Sequence, residues 1–305
     1  MIKGIFTNRS VSFQAGVFVY CLLIGLLLSS VCVMAVIHFF GTISDAPVSD
    51  KFVLSFYAHH AVQFFTNLFI FFLPAIATAY LCSFRPMQFL GLQRITNCKM
   101  LILTVLMLFC LFPAIELASY FNLKMQLPEF MAPLENWMRT KEETSKQFTD
   151  LLLSEKGFVP FIINLLIIGV TASVTEELLF RGALLSLLRK KIKNPHLSIW
   201  LVAVLFSAIH LQFYGFIPRL LLGAFLGYLL IWSRTVWLPM LAHFINNAIV
   251  LTAYKTDISP DSSINSTFIP PDTTPQAFII IVLLAVIGLV LFFICARQMK
   301  LRGCQ

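Results

Sequence analysis

"VPFIINLLIIGVTASVTEELLFRGALLSLL", residues 159–188, is apolar enough and long enough to cross a bilayer, yet it carries Glu176, Glu177 and Arg181. As helix, about 20 apolar residues span the roughly 30 Å hydrocarbon core. A charge near the bilayer centre costs between about 2.5 and 17 kcal/mol, so such residues face a protein interior and usually serve function. Reading this run as a membrane helix therefore requires other helices to surround it and to supply partners.

The rest of the chain has the composition to do so. Of its 305 residues 59% are hydrophobic and only 12% charged, against roughly 25% charged in an average soluble domain. Apolar stretches of spanning length read at 14–40, 53–81, 100–121, 159–188, 197–214, 216–232, 236–254 and 276–296. The expected fold class is thus all-α, a polytopic transmembrane helix bundle of about eight spans. The region 215–235 is its least defined part, because the fifth to seventh spans are short and tightly connected.

Charge placement tests that count. With the N-terminus inside, the cytoplasmic segments hold Lys3, Arg9, Arg85, Arg94, Lys99, Arg189, Lys190, Lys191, Lys193, Arg234, Arg297, Lys300 and Arg302, thirteen basic residues with no acidic one. The outside segments hold seven basic residues and eleven of the fourteen acids. The positive-inside bias favours eight spans with both termini cytoplasmic; seven would put the termini on opposite sides. The net charge of +8 then reads as topology and contact with anionic headgroups rather than as a nucleic-acid surface, since "RKKIKN" (189–194) directly follows a membrane helix.

The seven cysteines all fall in spans or cytoplasmic segments and show no metal-ligand spacing, so packing is their default role. The terminus "RGCQ" is not a prenylation box. The first apolar stretch exceeds a signal-peptide core and is expected to stay as an anchor. Residues 122–158 include an expected amphipathic surface helix, and 255–275 an irregular loop. Pro74 and Pro113 predict kinks. Intramembrane polar residues crowd into spans four to seven, which divides the chain into a three-span region with its outside loop (1–158), a catalytic core of four spans (159–254), and a loop with a final anchor (255–305).

Within that core, Glu177 and Arg181 lie four apart on one helical face and can pair, while Glu176 points about 100° away. "FSAIH" puts Phe206 and His210 on one face of the next span, and "HFINN" puts His243 and Asn247 on one face of another. At about 1.5 Å per residue, Glu177, His243 and His210 lie about 18, 14 and 21 Å from the cytoplasmic face, so a carboxylate, two imidazoles and an amide can meet near the midplane. Such a set suits hydrolysis: Glu176 or a histidine takes a proton from water, and His243 with Asn247 donates to an oxyanion. The plainer readings are packing histidines, which apply to His38, His59 and His60, and an ion pair that only fixes helix orientation. Glu116 stands open between a protonated acid, a partner of Arg219 and a member of the cavity.

The ordered trio Glu176-Glu177-Leu178-Leu179-Phe180-Arg181, Phe206 to His210, and His243 to Asn247 resembles the CAAX protease and bacteriocin-processing (CPBP, or Abi) family of intramembrane peptidases, relatives of the Ras-converting type of CAAX prenyl protease. "GAFLGYLL" (223–230) and "WLPMLAHFINN" (237–247) also look like that family, and the resemblance covers about 159–254. It implies Glu176 as the water-activating carboxylate with His210 beside it, Glu177 and Arg181 as a supporting pair, and His243 with Asn247 as oxyanion stabilisers. Two mechanisms stand side by side. In one, Glu176, His210 and His243 are ligands of a divalent metal such as zinc, with water in the fourth position; in the other there is no metal and the same residues act alone. The expected partner is a protein or peptide substrate at the lipid bilayer, with no nucleic acid, and the loops look like those of a bacterial plasma-membrane protein. "NST" at 265–267 would permit glycosylation in a secretory pathway. The rival expectation is a non-hydrolytic binding, immunity or transport protein with the same polar residues.

Overall fold

The computed structural model describes residues 2–43, 52–93, 97–255, 269 and 273–303. In chain order its helices are α1 (Val11–Phe40), α2 (Phe56–Thr66), α3 (Leu73–Cys82), α4 (Pro86–Phe89), α5 (Lys99–Leu123), α6 (Ala132–Leu152), α7 (Phe158–Asn164), α8 (Ala172–Glu177), α9 (Leu185–Lys191), α10 (Pro195–Ala208), α11 (Phe216–Ser233), α12 (Trp237–Lys255) and α13 (Pro275–Gly303). Three stretches of wider π-helical turn join some of them: π1 (Asn67–Phe72), π2 (Leu165–Thr171) and π3 (Leu178–Leu184). Strands Gly41–Ile43 and Phe52–Leu54 pair as a small antiparallel ribbon between α1 and α2. The all-α, polytopic membrane class read from the sequence is the observed one.

Among the described residues six helices are long and apolar enough to cross a membrane: Val11–Phe40, Phe56–Cys82, Lys99–Leu123, Phe158–Lys191, Phe213–Ser233 and Pro275–Leu301. The two other expected spans correspond to α10 and α12. α10 is apolar but has 14 residues, about 21 Å of helix against roughly 30 Å of hydrocarbon. α12 has 19 residues, diluted by His243, Asn246 and Asn247. The count of eight and the placement of the termini therefore rest on the charge pattern. Most of the 255–275 loop, the NST site, Arg94 and Cys304 lie outside the described residues. The six described cysteines are free.

The chain divides into two compact units. The first comprises Met1–Leu92 and Leu151–Lys193. Its buried Gln14 donates from Nε2 to the carbonyls of Phe6, Thr7 and Arg9 at 3.0–3.1 Å, and its Oε1 accepts from Lys190 Nζ at 2.7 Å. One amide thus fastens the end of α9 to the start of α1. Ser55 caps α2 by accepting the Ala58 N–H. The π1 turn ends just before Pro74. Proline lacks an N–H and its ring crowds the carbonyl four residues earlier, so a turn bonded five apart accommodates it inside a continuous span.

The second unit comprises Gln93–Asp150 and Asn194–Gln305. Its core joins Met107, Leu108, Leu226, Leu229, Leu238, Ala242 and Met299, from α5, α11, α12 and α13. Asn194 caps α10, its Oδ1 accepting the His196 and Leu197 N–H groups, with Pro195 in the first turn. Small residues let membrane helices approach closely. On α11 a Cβ at Gly223 would lie 3.1 Å from Phe206 Cδ1, and one at Gly227 only 2.8 Å from Ile199 Cγ2. The chain turns from α11 to α12 through Arg234, whose φ of 59° is left-handed and whose N–H reaches Leu230 O at 2.8 Å.

Candidate functional site

In the first unit the three ionisable residues straddle a change of helix type. α8 ends at Glu177 and π3 begins at Leu178. The sequence's 3.6-residue periodicity thus describes Glu176 and Glu177 but not the turn that carries Arg181. The ion pair forms nonetheless: Arg181 Nη1 donates to Glu177 Oε1 at 2.8 Å, and neither side chain is exposed to any degree. The guanidinium carbon stands 5.9 Å from the Phe180 ring centroid, within cation–π reach. Glu176 is also buried, at 8% exposure. An apolar groove of about 230 Å³ runs beside this segment, lined by Phe64, Leu68, Phe72, Val170, Val174 and the methyl-bearing Thr171 and Thr175. Both threonine hydroxyls donate back to their own helix, at Leu166 O and Ala172 O.

In the second unit one aromatic ring gathers two of the predicted residues. Phe206, 1% exposed, meets the His210 ring at 5.3 Å and the His243 ring at 5.8 Å between centroids, both in T-shaped arrangements. His210 Nδ1 lies 2.8 Å from Phe206 O. A carbonyl oxygen only accepts, so Nδ1 carries the hydrogen and the neutral ring keeps its lone pair on Nε2. Asn247 stands one turn beyond His243 on α12, and Asn246 Nδ2 donates to its Oδ1 at 3.5 Å, which orients that amide.

The turn that bears His210 is held by residues to which the sequence reading gave no such role. α10 stops at Ala208, and Leu211 takes a left-handed φ of 53°. A non-glycine residue in that region is strained and persists only where surrounding structure holds it. The holding groups are visible. Arg219 Nη2 donates to Gln212 Oε1 at 2.7 Å. Asn122 at the end of α5 donates to Phe213 O at 3.0 Å and accepts from Ile217 N at 2.7 Å. Glu142 of α6 accepts the Tyr214 N–H at 3.3 Å, and Trp137 packs on Phe213. No motif reports these contacts, most of which join residues 72–95 positions apart.

The structure therefore brings Glu177 to Arg181 with Glu176 next in the chain, and Phe206 to His210 and His243 with Asn247 one turn on. The first group falls in the first unit and the second group in the second. Among the described residues no group of three or more His, Cys, Asp and Glu is placed so that it could hold a metal ion.

Residues 158–249 match the family model of type II CAAX prenyl endopeptidases, Rce1-like. The matched segment contains every one of the predicted site residues. A 98-residue stretch is 31% identical to the uncharacterised protein YpbD of Bacillus subtilis (strain 168), covering 31% of this chain and 46% of that protein. The chain thus spans about half the length of the curated relative it matches. No solved structure matches. The resemblance carried by the three motifs is shown over that segment.

Proposed function

We propose that this membrane protein is an intramembrane endopeptidase that hydrolyses a peptide bond in a membrane-associated protein or peptide. The observation that carries the reading is the packing of His210 and His243 on Phe206, inside the segment that matches the CAAX endopeptidase family. Glu176 is the water-activating carboxylate, assisted by His210, whose Nε2 is the basic nitrogen. General-base catalysis of this kind contributes about 10²–10⁴-fold. His243 and Asn247 stabilise the oxyanion of the tetrahedral intermediate, and Glu177 with Arg181 makes the acidic segment tolerable in the membrane.

The test is release of product from a cleavable membrane peptide by the purified protein, with and without a chelator, beside a folded Glu176→Gln variant. Cleavage by the wild type and its loss in the variant support the assignment. Equal cleavage by both removes Glu176 from the chemistry. No cleavage across diverse substrates favours the binding, immunity or transport reading. Loss of cleavage on chelation, restored by zinc, favours the mechanism in which Glu176, His210 and His243 hold a metal. The thirteen-to-none basic excess supports termini on the cytoplasmic side, and labelling of Cys304 from outside would overturn that orientation.

A further inference from the structure

The segment 129–148 has one face occupied and one edge partly open, with Trp137 at the border between them, its ring 5.2 Å from that of Phe213. Met138 and Thr149 are buried on the packed face of α6, where Glu135 Oε2 accepts the Leu127 N–H and Glu142 accepts the Tyr214 N–H. On another edge Phe130, Leu134 and Trp137 follow at helical spacing and are 83%, 43% and 45% exposed. The exposed Lys141 comes next on the same stripe. A helix with polar flanks, an aromatic and leucine edge and a lysine beside it has the composition of one that lies in a membrane surface, with the lysine stem along the apolar edge and its ammonium in water.

The same unit marks the height of that surface. The end of α5 and the start of α13 meet through Tyr120 and Phe121 on Phe278, with ring centroids 5.5 and 6.2 Å apart. The Lys124 ammonium lies 3.9 Å from the Tyr120 ring centroid. Aromatic rings with a basic residue at the ends of two spanning helices are the signature of the headgroup level. From Lys124 to Glu129 is five residues, at most about 17 Å when fully extended, so the turn that starts this segment cannot leave the neighbourhood of the interface.

We propose that Phe130, Leu134 and Trp137 sink into the headgroup region of the lipid bilayer, making 129–148 an interfacial helix. Its other face grips the 213–215 turn that follows His210, so the membrane surface and that turn are attached to the same rigid element. The proposal is independent of peptidase activity. Phosphatidylcholine vesicles test it, with Trp200, Trp232 and Trp237 replaced by phenylalanine so that Trp137 alone emits. Since such helices bury their apolar edge about 5–10 Å into the headgroup and acyl boundary, bromines near the lipid carbonyls should quench at least about twofold more than bromines near the chain ends. Quenching by aqueous iodide without quenching by either bromolipid would overturn the proposal, as would stronger quenching by the deep bromines. Should the triple variant not fold, hydrogen exchange on the unaltered protein decides: amides of 129–148 should exchange more slowly in nanodiscs than in amphipol, and equal rates would overturn it.

Discussion

Arg181 and Glu177 are buried as a full ion pair on one irregular helix, whereas His210, just past the end of α10, and His243, within α12, meet a shared phenylalanine in T-shaped contacts. The difference follows from what each group costs to bury. A guanidinium cannot shed its charge and must carry its counter-ion with it, which a turn-mate provides. An imidazole can be buried neutral, with one N–H bonded to a carbonyl. Phe206 lies four residues before His210 in the chain, but tertiary packing has to bring it up to His243 on α12. The charged region is therefore local in its construction and the imidazole region is not.

Breaking the charged region should produce the largest effect. Arg181→Ala removes the guanidinium from the buried Glu177 carboxylate and should cost about 3–5 kcal/mol, while Arg181→Met combined with Glu177→Leu should be near neutral or stabilising. Thermal unfolding in detergent measures both. A single variant as stable as the wild type would erase the contrast between the regions.

In the imidazole region the loss should appear in turnover and not in folding. His243→Ala and Asn247→Ala should each reduce kcat by about 10²–10³-fold if they serve an oxyanion, and His210→Ala by about 10²-fold if its Nε2 assists proton removal. Unchanged kcat in all three folded variants would reduce these residues to packing.

Gly223→Ala sharpens the same point, since it touches neither imidazole yet crowds the ring beside them. The added methyl would stand 3.1 Å from Phe206 Cδ1, and overpacking of this kind costs about 1–3 kcal/mol. Catalysis should fall along with stability, because Phe206 is displaced. Lost stability with full turnover would show that Phe206 does not set the histidines.

The smallest effect belongs to a third pair, outside the spanning helices, whose arginine side chain is 54% exposed. Arg139 donates to Glu135 at 2.6 Å; that hydrogen bond first, and the Leu127 N–H second, hold the Glu135 carboxyl below its usual 4.5. A carboxyl depressed in the folded state contributes stability above its unfolded value, and that stability is lost as pH falls through the folded value. Glu135→Gln should thus be slightly less stable than wild type at neutral pH, with the difference disappearing under acid. A difference that persists unchanged at acid pH would assign it to packing.

The ion pair was legible because its partners lie four residues apart, a spacing that brings side chains together in a helix whatever surrounds it. The motif residues were legible too, as were the amphipathic α6 and the polytopic helical class, since composition over 20-residue windows is a property of the chain alone. The short α10 was harder to interpret, because a hydrophobic run without length does not say whether it spans.

Helix type and the surroundings of His210 escaped the sequence for a physical reason. A π turn forms where packing or a proline such as Pro74 favours one extra residue, and the hydrophobic pattern hardly registers it. Sequence by itself determined that the chain is a helical membrane protein, which residues are polar within it, and that Glu177 would meet Arg181. Only the tertiary structure decided that His243 joins His210 on Phe206, and that Asn122 and Glu142 hold the turn behind them. Those contacts depend on helices distant in sequence approaching within a few ångströms. No local spacing encodes that distance.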